Sequence, residues 1–413
     1  MRALSRTAGR SVKRPVGRSI NGVLSTVAGL TSGAIAGNRF QACTASSSIA
    51  ANFTSRREHT SPAGGAISNL HTVDVGWFFN STFGITNAAS RTFKRYIEYP
   101  AGTFWQVTWA GATSKTLAGG AITTSDNIAG LVIPPNTKYW ERTVNLGGTV
   151  NPFPVIELPA ASTTLGVDDG NDVADKGNTG TVSATSTLNT FGAAVILCDI
   201  AKNNARSVIQ FGDSLVFGQG DITTVDSKHG SGFLGRMLDI KGYGWFKLCK
   251  PGMSASDLAA ITGTSLTALQ ALMAKFGTTV SEVIDAYGIN DLRLGRTQTQ
   301  LLADKQTYYS SLASPRPVRS MTITPRSTST DSWATTTNQT AQTDGNMAAL
   351  NSVNAAIRAG LANTVGYLEA ADAAMSARDS DIHAAPPAGT TDGTHFTSVN
   401  SDRIATALAP AYP

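Results

Sequence analysis

Charge is scarce in this chain. Asp, Glu, Lys and Arg make up 15% of its 413 residues, while apolar residues reach 41%. That balance excludes a disordered polyelectrolyte and favours packed cores. Cysteine is scarcer still. Cys43, Cys198 and Cys249 are odd in number and widely spaced, which excludes a disulfide framework or a cysteine-based zinc pattern. Cys198 and Cys249 stand in the apolar runs AAVILCDI and GWFKLC and read as small core residues. No run approaches the ~20 apolar residues of a membrane-spanning helix, and no repeat of solenoid length is present. Acid is absent from Met1–Arg18, which carries Arg2, Arg6, Arg10, Lys13, Arg14 and Arg18. The net charge of +5 therefore belongs to this arm, and the remainder is close to neutral. Such an arm suits a partner protein, a larger assembly, nucleic acid or an anionic surface, or it is a solvated tail. The mildly apolar stretch Ile20–Gly37 reads either as an export signal or as part of an assembly arm.

What is present divides near residue 200. Residues 1–60 are expected to form a basic, flexible arm. Residues 61–200 carry short runs rich in β-branched and aromatic residues: His71–Phe79, Thr92–Glu98, Thr103–Ala110, Gly130–Ile133, Thr137–Leu146 and Pro154–Leu158. Gly, Pro, Asn and Ser separate them, and several alternate apolar with polar. This pattern predicts an antiparallel, jelly-roll-like β-sandwich with a linker over 159–190. Trp77, Trp105, Trp109 and Trp140 fall in this part and read mainly as core.

From 201 to 413 the period changes. Strand-like runs at Ser207–Phe211, Trp245–Cys249, Val280–Tyr287, Val318–Thr324 and Thr364–Ala370 alternate with helical stretches. This predicts an α/β fold, a three-layer parallel sheet with helices on both faces. Chemistry in such sheets gathers at the carboxyl ends of the strands. Three segments fall there. Gly212-Asp213-Ser214-Leu215 follows the first strand, Gly288-Ile289-Asn290-Asp291 follows the third, and Asp392-Gly393-Thr394-His395 precedes the last helix. Together they supply a hydroxyl, an amide, a carboxylate and an imidazole. A serine hydroxyl needs a base to accept its proton, an imidazole suits that task, and a carboxylate orients the imidazole. Asp213 and Asp291 read as braces for their loops, and His229 and His383 as polar-loop residues outside the chemistry.

These three segments resemble the ordered blocks of the SGNH/GDSL hydrolases, and the resemblance covers about Arg206–Pro413. It implies Ser214 as nucleophile, His395 as general base and then acid, and Asp392 as its orienting carboxylate. It also implies an oxyanion hole from the Ser214 N–H, Asn290 and a backbone donor, supported by Gly212, Asp213, Gly252, Gly288 and Asp291. The family's second block, Asn-X-Gly-X-Ser-Gly, is met by Lys250-Pro251-Gly252-Met253-Ser254-Ala255. Gly252 and Ser254 match, Lys250 replaces Asn, and Ala255 replaces the donor Gly. A backbone N–H survives that last change where the dihedrals admit Ala, so Ala255 is the expected second donor.

The function expected is hydrolysis of a short-chain ester, an acetyl group on a carbohydrate such as an acylated polysaccharide, through an acyl-serine and without metal or organic cofactor. Trp333, in the polar segment Ser327–Gly345, is the expected substrate contact. The alternative is a structural component of a larger assembly, such as a phage virion, that carries this domain. Both favour an extracellular or virion-associated setting and an oligomer or assembly component.

Overall fold

The computed structural model describes residues 30–159, 170–182, 189–201, 206–221, 230–277 and 279–413. The basic arm Met1–Arg18 and His229 lie outside them. The C-terminal sheet grows from Ser207–Gly212, whose six residues are all buried. It is flanked in parallel register by Gly244–Cys249 and Val280–Asp285, and Val318–Met321 and Thr364–Leu368 extend the second side. Strands buried on both faces are mostly apolar rather than alternating, as Ser207–Gly212 and Gly244–Cys249 are. The chain leaves Ser207–Gly212 to one side and returns to the other, so the strand order reverses there. The crevice at such a reversal is where open α/β sheets bind ligands.

The expected arm ends far earlier than residue 60. Leu30–Ile35 pairs with Val195–Ala201, Thr54–Thr60 with Lys138–Asn145, and Ala45–Ile49 with Val150–Pro159. Their sequences, LTSGAI, TSRREHT and ASSSI, carry too little apolar alternation to read as strands. The boundary near 200 also fails as a division. Phe40–Gln41 adds a sixth parallel strand to the C-terminal sheet, against Gly244–Cys249. Ile35 N–H bonds Ser207 Oγ at 2.8 Å, Thr279 Oγ1 bonds the Gly33 carbonyl at 2.8 Å, and Lys250 Nζ bonds the Thr44 carbonyl. One continuous apolar core holds residues of both halves, Phe40 and Ile67 as well as Phe211 and Leu301.

Apart from Phe40–Gln41, the described strands between residues 30 and 201 form antiparallel sheets. One centres on Ile67–Val75 and another on Arg91–Glu98 and Lys138–Asn145. Gly170–Asp172, inside the expected linker, pairs with Thr54–Thr60. Buried charges join the two sheets: Arg95 grips Asp74 through two bonds of 2.7 Å and reaches Glu141 at 2.7 Å. Trp77, Trp109 and Trp140 are buried, and Trp105 is half-buried against the core.

Candidate active site

Ser214 opens a four-residue helix, Ser214–Phe217, directly after the central strand. Asp213 caps that helix by accepting the Leu215 N–H at 2.9 Å. Gly212 makes the sharp turn feasible, because a Cβ there would stand 2.1 Å from Val216 Cγ2. Burial, reinforced by nearby Asp291 and opposed by the Leu215 amide, pushes Asp213 up to about 7.

His395 Nε2 lies 2.8 Å from Ser214 Oγ, and His395 Nδ1 lies 2.6 Å from Asp392 Oδ2. The second Asp392 oxygen accepts the Thr394 N–H at 2.9 Å and the His395 N–H at 2.8 Å. Burial opposes the charge on Asp392, but the His395 ring and these two amides outweigh it and hold the carboxyl at about 2. The pair is stepped toward solvent: the Asp392 side chain is 50% exposed and that of His395 17%. The structure thus brings together the hydroxyl, imidazole and carboxylate that the sequence singled out, across 181 residues of chain between Ser214 and His395.

The oxyanion donors fall out differently. The Ser214 N–H has no acceptor among the described residues. Asn290 Nδ2 donates to the Met253 carbonyl at 3.0 Å and, more loosely, to Asp213 Oδ2 at 3.4 Å. Ala255 is not the second donor. Its N–H is bonded to Asp291 Oδ2 at 2.9 Å, and the next amide, Ser256 N–H, to Asp291 Oδ1 at 3.0 Å. The physical reason lies in the helix that starts there. Ala255–Ala260 opens on a capping box between Ser254 and Asp257, and its free first-turn amides take the buried Asp291 carboxylate as acceptor. Gly252 (φ +82°) turns the loop and lies against the Phe83 ring, whose Cζ would be 3.5 Å from a Cβ at that position. Gly288 (φ +144°) precedes the short helix Ile289–Arg293 that carries Asn290 and Asp291. Behind it, Asp285 accepts from Lys305 Nζ at 2.6 Å and from the Tyr308 and Tyr309 hydroxyls at 2.7 and 2.5 Å.

Three contributors escaped the sequence. Lys250, where the resemblance implies Asn, ties the loop to Thr44. Phe83 arrives from a hairpin of the N-terminal half, Trp77–Phe79 with Ile85–Asn87. His383 is buried and bonds the Gly393 carbonyl at 3.0 Å. None of the three carries a periodic or motif signal. Trp333 sits beside the same loop: its ring Cζ2 would be 2.9 Å from a Cβ on Gly393, and its Nε1 bonds Ser327 Oγ at 3.0 Å. The surrounding polar segment is a hairpin, Ser327–Ser329 paired with Gln339–Ala341.

No family model and no curated protein matches the sequence. Among solved structures, the chain is similar to a carbohydrate acetylesterase family member from Sinorhizobium meliloti, at 13% identity and a TM-score of 0.34, over 50% of this chain and 96% of that one. A lipolytic protein of the G-D-S-L family from Veillonella parvula matches at 16% identity and a TM-score of 0.35, over 50% and 98%. A family two carbohydrate esterase from Clostridium thermocellum matches at 10% identity and a TM-score of 0.35, over 93% and 97%. Similarity this distant leaves function to be argued from the contacts of Ser214, His395 and Asp392.

Proposed function

We propose that the chain is a serine ester hydrolase that works through an acyl-serine. The carrying observation is the unbroken run of contacts from Asp392 through His395 to Ser214, 2.6 Å and then 2.8 Å. Ser214 Oγ attacks the ester carbonyl carbon while His395 Nε2 takes its proton. Asp392, held ionised, fixes the ring with its Nδ1 proton toward the carboxylate and stabilises the imidazolium. Negative charge on the carbonyl oxygen is met by the Ser214 N–H and by Asn290, whose loose contact to Asp213 is the one an oxyanion can replace. His395 returns the proton to the departing alcohol. A water, deprotonated by the same ring, then releases the acid and restores Ser214.

The substrate we favour is a short acyl ester, an acetyl group, on a carbohydrate. Two features support this. Phe83 closes on Gly252, beside the Asn290 loop, which suits a small acyl group. The Ser327–Ala341 hairpin packs against Gly393, two residues before His395, and carries Trp333 and exposed threonines, which suits a sugar. Purified protein is expected to hydrolyse p-nitrophenyl acetate and to be labelled by a fluorophosphonate, and Ser214→Ala to lose both while unfolding at the same temperature. Folded wild-type protein that does neither would refute the proposal.

A further inference from the structure

We propose that His383 is a positioning residue that sets the orientation of Asp392 through a single peptide unit. The inference rests on the serine-hydrolase reading above. The peptide joining Gly393 to Thr394 lies between the two groups. On one side its carbonyl accepts His383 Nε2–H at 3.0 Å and Ser327 N–H at 3.1 Å, which uses both lone pairs. On the other side its N–H, that of Thr394, donates to Asp392 Oδ1 at 2.9 Å. A peptide group is planar and rigid, so fixing the carbonyl fixes the direction of the N–H. The run of contacts therefore reads His383, peptide, Asp392, His395, Ser214.

Asp392 needs such a hold. Its side chain is half exposed, and water competes for any carboxylate free to rotate. His383, by contrast, is fully buried. A carbonyl only accepts, so Nε2 carries the ring proton, and Nδ1 has no partner among the described residues. Burial drives this ring down to about 4, with the Gly393 carbonyl and Asp392 working the other way. His383 thus remains a neutral donor across the range where a serine hydrolase works. Its own backbone is clamped by Gln339, which accepts the His383 N–H at 2.9 Å and donates to the His383 carbonyl at 3.0 Å. Gln339 and Trp333 both bond Ser327 Oγ, so the hairpin and the histidine form one brace. Gly393 admits no side chain, as a Cβ would stand 1.9 Å from the Ser327 carbonyl oxygen.

The test compares His383→Leu with His383→Gln on p-nitrophenyl acetate, well below the unfolding temperature of each. Glutamine can present an N–H near the position of Nε2, whereas leucine cannot. His383→Leu is expected to lower kcat by up to about 100-fold, the scale of a misplaced catalytic group, with KM unchanged and fluorophosphonate labelling slowed in parallel. His383→Gln is expected to recover most of that loss. Gln339→Ala, which removes the clamp on the His383 backbone while leaving the His383 ring intact, should move kcat in the same direction and serves where the Leu variant fails to fold. Equal impairment of Leu and Gln variants, or a kcat unaltered in both His383→Leu and Gln339→Ala, overturns the brace. Absence of labelling in wild-type protein would instead overturn the hydrolase reading itself.

Discussion

Ala255 shows how residue type and residue role can separate. The resemblance implies a glycine whose amide serves the oxyanion, yet the Ala255 amide belongs to Asp291. The side chain is consequently free to be one that favours a helix start. Ala255→Gly is expected to cost up to about 1 kcal/mol in chemical denaturation, the usual penalty of glycine within a helix, and to leave kcat where it was. A clear rise in kcat would return the oxyanion role to this amide. Ser214, Asp392 and His395 could be singled out because a nucleophile, a base and an orienting carboxylate are expected at strand ends and helix starts, and the structure places the three in contact. His383 was not, because a single histidine among Ala and Pro acts through a backbone carbonyl ten residues away, and nothing in its spacing says so. Lys250 read as a lost Asn, while the structure makes it a tie to Thr44, in a connection between strands 206 residues earlier.

Among the elements, those of residues 206–413 were legible and those of residues 30–60 were not. Apolar runs such as SVIQF mark a strand buried on both faces. TSRREHT does not, because its burial rests on charge pairing instead of hydrophobicity. Within Thr54–Thr60, Arg57 and His59 lie near Glu141, at 3.4 and 3.7 Å, and all three are buried. Burial works to raise Glu141, but Arg95, His59 and Arg57 prevail and bring it to about 2. An unfolded chain leaves that carboxyl at its ordinary 4.5, so it then binds protons more readily than the folded form. Its stabilising share is complete above about pH 4.5 and disappears as the pH falls toward 2. His59, pushed down by burial, acts in the same sense. Urea midpoints measured across this window are expected to fall with pH, and to fall less steeply in Glu141→Gln, which is already weaker at neutral pH. Parallel curves for the two proteins would assign acid sensitivity to other carboxyls.

For the whole molecule, the expected boundary at residue 200 describes a change of sequence pattern and not a seam. The C-terminal sheet takes its edge strand from Phe40–Gln41, and its loop at Lys250–Ala255 leans on Phe83 and Thr44. A chain cut to residues 206–413 would expose the Gly244–Cys249 edge and the apolar surface that Phe40 covers. It is expected to show no cooperative unfolding by circular dichroism and no esterase turnover. A soluble, active fragment would make the N-terminal half an accessory. Placing the edge strand at Phe40 also has a consequence during synthesis. That segment leaves the ribosome roughly 200 residues ahead of the strand it will pair with, a delay of about 10–40 s at 5–20 residues per second. Until then the nascent half must keep Phe40 and its neighbours from pairing elsewhere. Soluble yield in a heterologous host is therefore expected to rise when chaperones are co-expressed.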